Sequence, residues 1–306
     1  MADLRFDGSV VLGRGAFGVV RSAVWRNSPV AIKELEVDHA SAAAASAVIA
    51  DMHREVALHW RLRHPNVVTV YGSLEDLSNP ARPRYGIVLE RMERTLFAAL
   101  RASGGLSTGR RLQACLDIAS GLSFLHAEGV VHADLKSLNV LLDKAGGCKL
   151  ADFGLSSLRS PSAALTLSRG AAAAAADGGG GGAGVGTLLW MAPELHSDEA
   201  CGGAPGKPTK ESDVYALGVT LWECLTSAVP FSEHRRLNVA VQLPFMVLRG
   251  VRPSLEALPA SLPSRVAKLL AQCWAPAPRE RATADDAVRV LQRVISNRAA
   301  AAPRAS

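Results

Sequence analysis

Along the first third of the chain, short apolar runs alternate with turn residues. Ser9 to Leu12 is followed by GRGAFG, then by Val19 to Trp25 and Val30 to Ile32, a pattern that predicts a small antiparallel sheet. An alanine-rich stretch from Ala40 to Ala50 runs into DMHREVALHWRL, where Met52, Val56, Leu58 and Leu62 recur at helical spacing, so one helix interrupts the sheet. Strands resume at Val67 to Tyr71 and Gly86 to Leu89, separated by SLEDLSNPARPR, whose prolines and asparagine disfavour regular structure. Beyond Glu93 the pattern turns helical. Leu112, Cys115, Leu116, Ala119 and Leu122 stand three and four apart, and a second apolar helix covers Asp213 to Leu225. A last helix starts at Thr283, where TADD offers a hydroxyl cap with an acid three positions on. The reading divides the chain near Met92 into a sheet-rich part, 1–92, and a helical part, 93–298. The Ala/Gly segment at about 170–186 and the tail 299–306 offer little apolar surface to offset ordering entropy, so both are expected to be flexible.

Composition changes this picture little. The 306 residues are 48% hydrophobic and 20% charged, enough for a sizeable core. The net charge of +6 is scattered with no long basic run, which disfavours nucleic acid as a partner. Cys115, Cys148, Cys201, Cys224 and Cys273 lie far apart, with no C-x-x-C pair and no companion histidines, so a reducing compartment and no structural zinc are expected. No apolar run approaches the roughly 20 residues that span a bilayer. Ala2 stands where myristoylation needs glycine, and the tail APRAS has no cysteine to prenylate. The expected location is cytoplasmic, with the nucleus open.

Three passages carry chemistry. GRGAFGVV supplies Gly13, Gly15 and Gly18 between two strands, where bare backbone amides can approach phosphate oxygens; an ordinary hairpin turn explains the same glycines as well. No helix follows, which argues against a dinucleotide fingerprint. VAIKEL then sets Lys33 on an apolar strand, and Glu55 on the downstream helix is the acid that could hold it. In VVHADLKSLNVLLDKAGGCKLADFG, the runs NVLLD and CKLAD flank a glycine turn, which predicts a hairpin. A turn centred between Ala145 and Gly146 sets Asn139 opposite Asp152, an amide oxygen beside a carboxylate, suited to a hard cation such as Mg²⁺ carrying a nucleotide. Asp134 and Lys136 precede them, a candidate base beside a phosphate-binding cation. A polar hairpin with satisfied side chains is the plainer alternative.

With the glycine loop, VAIK, the helix glutamate, H-x-D-L-K-x-x-N, DFG, Ala192-Pro193-Glu194, Asp213 and Arg281 in this order, the chain resembles the eukaryotic protein kinase superfamily from about Val10 to Val294. The resemblance implies an α+β, two-lobed fold, with a small antiparallel sheet and one main helix in the first lobe and a larger, mainly helical second lobe. It implies transfer of the γ-phosphate of ATP, with Mg²⁺, to protein hydroxyls. Lys33 would meet the α- and β-phosphates and pair with Glu55. Asp134 would orient and deprotonate the acceptor, Lys136 would neutralise the γ-phosphate, and Asn139 and Asp152 would hold magnesium. Gly13, Gly15, Gly18, Val20, Ala31 and the hinge from Glu90 to Met92 would line the nucleotide, with Leu89 guarding the back of the pocket. Glu194 and Arg281 would form a buried ion pair, and Asp213 would anchor the catalytic loop.

DLKSLN and GTLLWMAPE resemble the tyrosine-kinase-like group of serine/threonine kinases, the Raf and mixed-lineage relatives. Lys136 and Thr187 together imply serine or threonine acceptors. The chain departs from the family pattern in four places, one of which, Arg281-Ala282 for the more usual Arg-Pro, should cost little. His132-Ala133-Asp134 lacks the usual arginine that grips a phosphorylated activation loop, so independence from that switch is expected. The Ala/Gly insert lengthens the segment between Asp152 and Glu194, with Thr166 and Ser168 before it as candidate phosphosites. His59 follows Glu55 by one helical turn, where a core histidine is favoured over a pH-sensitive latch. Two rival readings remain: a pseudokinase scaffold, supported by the missing arginine and the insert, and a small-molecule kinase, opposed by the APE and Asp213 region. Substrate, activator and oligomeric state are not legible in the chain.

Overall fold

In the computed structural model, the described residues are 3–15, 18–35, 42–79, 83–153, 185–196, 206–234 and 239–301. The chain divides into two compact units, Met1–Glu93 and Arg94–Ser306.

The first unit is a five-stranded antiparallel sheet in the order β1-β2-β3-β5-β4, built from β1 (Leu4–Gly15), β2 (Gly18–Trp25), β3 (Ser28–Leu35), β4 (Val70–Asp76) and β5 (Arg84–Glu90). β1 is much longer than the Ser9–Leu12 run. Register shifts between Phe6 and Val11 and between Val11 and Gly13 break the period-two alternation by which a strand is recognised in sequence. Helix α1 (Ala42–His59) lies against β4 and β5. The sheet is apolar on both faces. Ala23, Val30, Ile32, Leu74 and Val88 form one cluster; Met52 of α1, Val70 and Ile87 form the other, with Leu35, Ile49 and Val56 packed against it. Successive residues of a strand face opposite sides, so Val30 and Ile32 share the first face, and Lys33 shares the α1-covered face with Leu35.

The second unit is mainly helical. A small antiparallel sheet, β6 (Arg94–Thr95), β7 (Val140–Leu142) and β8 (Cys148–Leu150), accompanies α2 (Leu96–Arg101), α3 (Thr108–Ala127), α4 (Val185–Leu188), α5 (Lys210–Thr226), α6 (Val239–Leu248), α7 (Ser264–Cys273) and α8 (Ala284–Ala301). α5 is the central element, with every residue from Ser212 to Leu225 buried. Its N-terminus is closed by a reciprocal cap between Thr209 and Ser212. α3 and α7 pack on it, and the approach of α7 is close because Gly218 lacks a side chain: a Cβ there would sit 2.7 Å from the Cys273 Cβ. α8 starts as its sequence predicts, with Asp286 N donating to Thr283 Oγ1 (3.1 Å) and Thr283 N to the Asp286 carboxylate (2.9 Å). α8 continues to Ala301, so the tail read from Ala299 begins inside a helix. The Ala/Gly stretch, Thr166 and Ser168 lie outside the described residues, except that Val185 and Gly186 open α4. Cys115, Cys148, Cys224 and Cys273 are buried free thiols. Among the described residues no helix is long and apolar enough to cross a membrane.

Candidate active site

The residues expected to meet a nucleotide in the first unit sit on β1, β2, β3 and β5. Gly15 pairs with Gly18 to close the β1–β2 hairpin, whose tip, Ala16 and Phe17, lies outside the described residues. Gly18 is obligatory there: its φ is +128°, and a Cβ would fall 1.9 Å from the Glu34 carbonyl oxygen. At Gly13 a Cβ would meet nothing within 4 Å, so space rather than backbone geometry is what glycine supplies. Val20 pairs with Lys33 across β2–β3, and Ala31 is buried one register step away. Lys33 itself is 7% exposed, opposite Ile87, which packs under α1. Glu55 falls between Met52 and Val56, the α1 residues that cover this face, so the fold sets lysine and glutamate on facing surfaces of one layer. The hinge is held by its own glutamate: Glu90 N donates to Thr69 O at 2.9 Å, and the Glu90 carboxylate accepts from Thr69 N at 3.2 Å. Met92 is buried. His59, at the end of α1, is buried, in keeping with a core role.

In the second unit the catalytic-loop motif converges on Asp134. Lys136 Nζ donates to both Asp134 carboxylate oxygens (3.1 and 3.0 Å) and to Thr187 Oγ1 at 2.8 Å. Asn139 Nδ2 donates to Asp134 O at 2.8 Å and to Asp134 Oδ2 at 3.1 Å, which turns the amide oxygen of Asn139 away from the acid as its remaining acceptor. The loop backbone is anchored from below. Asp213, 2% exposed in α5, accepts from His132 N (2.7 Å) and Ala133 N (2.8 Å) and meets His126 Nε2 at 3.0 Å. Ala133 has φ +67°, a left-handed conformation uncommon for alanine, which these bonds hold in place. Burial pushes the His132 pKa down against the pull of Asp213 and Asp134, and its Nδ1 accepts from Asp134 N at 3.3 Å, as a neutral imidazole can.

The hairpin forms, one residue away from its expected register. Leu142 pairs with Cys148, Leu141 with Lys149 and Val140 with Leu150, and Ala151 N donates to Asn139 O at 2.9 Å. Asn139 thus stands opposite Ala151 and not Asp152. The cause is Asp143, whose carboxylate accepts from Ala145 N (2.8 Å) and Gly147 N (2.9 Å), which centres the turn on Ala145. Asp152 follows immediately in an exposed, left-handed conformation (φ +57°), between buried Ala151 and buried Phe153. The residues following Phe153 lie outside the described ones.

The expected pair of Glu194 and Arg281 takes specific form. Arg281, its side chain fully buried, makes a bidentate pair with Glu194 (2.7 and 2.8 Å), donates to Ala275 O and Glu211 O, and lies over the Tyr215 ring. His126, which meets Asp213, and Glu223, which pairs with Arg101, are polar residues of the interior that the motif reading passed over. Glu223 carried a signal, a lone acid inside an otherwise apolar helical run.

With this geometry in hand, comparison with known proteins gives a direct match. The protein kinase domain model covers residues 6–291. The chain belongs to the protein kinase domain family. It is 37% identical over 292 residues to the serine/threonine-protein kinase CTR1 of Arabidopsis thaliana, covering 92% of this chain and 31% of that protein. It is 31% identical over 284 residues to the serine/threonine/tyrosine-protein kinase HT1 of the same plant, covering 91% of this chain and 64% of that protein. In both cases it spans less than two thirds of the relative's own length. The tyrosine-kinase-like serine/threonine group read from the motifs agrees with these matches.

Proposed function

We propose that this domain transfers the γ-phosphate of ATP to serine or threonine hydroxyls of proteins in a signalling role, through a catalytic loop that works without the usual arginine. The observation that carries the reading is the bridge in which Lys136 bonds Asp134 and Thr187 together while Asn139 clamps the same aspartate. That bridge also supports serine or threonine acceptors.

In this reading Asp134 receives the proton of the acceptor hydroxyl as its oxygen bonds to the γ-phosphorus and the bond to the β–γ bridging oxygen breaks, releasing ADP. Lys136 holds Asp134 aimed and offsets the negative charge of the transferring group. Lys33, kept in place by Glu55, receives the α- and β-phosphates, and Gly13, Gly15 and Gly18 leave backbone amides open to them. The Asn139 amide oxygen and the Asp152 carboxylate are hard oxygen donors that fit Mg²⁺, which when bound supplies charge neutralisation to the phosphates. Val20, Ala31, Glu90 and Met92 line the adenine. Placement and charge, not covalent help, carry the rate.

Phosphate incorporation from ATP into a generic basic protein, compared among wild type, Lys33→Met and Asp152→Ala, tests the reading. Incorporation by wild type and at least about a hundredfold less by each variant is expected. Equal incorporation in all three would leave a kinase-shaped binding protein as the better account.

A further inference from the structure

Glu223 is the most deeply buried carboxylate among the described residues, with no exposed side-chain surface, midway in the apolar body of α5. A carboxylate in such a place needs compensation, and one comes from Arg101, the last residue of α2, whose Nη2 donates to Glu223 Oε1 at 2.8 Å. Arg101 is itself fixed, lying over the Phe97 ring and bonded to Phe97 O. The other oxygen, Glu223 Oε2, has no hydrogen-bond partner. Two more buried polar atoms without partners belong to the same neighbourhood: Ser137 Oγ and Trp190 Nε1. Burial raises the Glu223 pKa, and Ser137, Arg101 and Trp190 all draw it back, so hydroxyl and indole N–H both stand close to the carboxylate. Two donors and one ionisable acceptor are thus gathered where the Ser137–Asn139 turn meets α5.

The position of the two donors gives this cluster its meaning. Ser137 follows Lys136 directly and opens the short turn Ser137–Asn139, which touches both α2 and α5. Trp190 N donates to Thr187 O at 3.2 Å, so the indole and Thr187 belong to one tight turn. Lys136 and Thr187 are the two ends of the 2.8 Å contact beside Asp134. Each end is therefore one short step from the same carboxylate.

We propose that Glu223, held by Arg101, is a positioning residue for phosphoryl transfer: its second oxygen takes the Ser137 hydroxyl and the Trp190 N–H, and so fixes the Lys136–Thr187 contact beside Asp134. An ionised acceptor makes stronger bonds to both donors than a neutral one would. None of the three atoms makes a hydrogen bond of good geometry in this structure, and catalytic contacts commonly tighten only when substrates are bound. This role rests on the kinase reading above, and its failure can be told apart from that of the reading.

The test uses Ser137→Ala and Trp190→Phe, which remove one donor each with little change of shape, together with Glu223→Gln and the Ser137→Ala/Glu223→Gln double variant. Transfer to a protein acceptor is measured alongside the KM for ATP and the melting temperature. The expected result is a fall in kcat of about 10- to 100-fold in each single variant at unchanged KM for ATP, as for a displaced catalytic group. The double variant should be no slower than Glu223→Gln alone, because both changes break one unit. Wild-type kcat in folded Ser137→Ala and Trp190→Phe, or effects that multiply in the double variant, would overturn the proposal while leaving the kinase reading intact. A wild-type chain that transfers no phosphate overturns the kinase reading itself, and the positioning role with it.

Discussion

At the scale of single residues, the second unit keeps several ionisable groups away from water, and their protonation sets how stability follows pH. Burial lowers the pKa of His132 and of His196, so both are neutral when folded. An unfolded histidine takes up its proton near pH 6.5. Below that value the unfolded chain binds protons that the folded chain refuses, so stability is present above about pH 6.5 and is lost as pH falls toward the lowered folded values. A series of denaturant midpoints from pH 7.5 to 5 is expected to decline, and His196→Gln should flatten the decline. An unchanged slope in that variant would mean that His196 is not a source of it. Residue identity also explains Gly18, where the carbonyl of Glu34 excludes any side chain. By contrast Glu34 itself, bridged to Arg21 and Arg84, is a cross-strand ion cluster on the sheet that no motif announced.

The elements tell where sequence patterns succeed. α3 and α5 were legible because three- and four-residue spacing survives in any helix whose face is buried, and the Thr283 cap of α8 was legible because capping is local. β1 and the β7–β8 register were not. The bulges in β1 erase alternation, and the side chain of Asp143 recentres a turn that its glycines alone would place half a residue later. Close packing between elements is likewise invisible in one dimension. Gly218 looks like a weak point in α5, yet it lets Cys273 of α7 approach. Gly218→Ala, favourable for an isolated helix, is expected here to destabilise the protein by about 1–3 kcal/mol through overpacking. Thermal unfolding compared with a solvent-facing control such as Gly109→Ala, where a Cβ meets nothing within 4 Å, checks this. A stabilised Gly218→Ala variant would show that the helices part without strain.

For the whole molecule, the absence of an arginine before Asp134 has a consequence for regulation. Ala133 has no side chain to grip a phosphate, and its backbone N–H is already committed to Asp213. The loop is therefore organised from α5 upward, and turnover should persist after phosphatase treatment of the purified domain. Its rate should stay within about twofold of the untreated enzyme, since Ala133 offers a loop phosphate none of the bidentate contact an arginine would make. Loss of turnover on dephosphorylation would place the switch elsewhere in the chain.

By itself the sequence determined the family, and it set the expectation that Lys33, Glu55, Asp134, Lys136, Asn139 and Asp152 are the groups that carry the chemistry. These are properties of residue type and local spacing, which survive in one dimension. Tertiary structure alone decided which groups touch: that Lys136 reaches Thr187, that Asp213 takes two loop amides, that Asn139 faces Ala151, and that Arg101 reaches Glu223. Hydrogen bonds and buried charges depend on distances of a few tenths of an ångström between segments far apart in the chain, and only the packed core holds such distances constant.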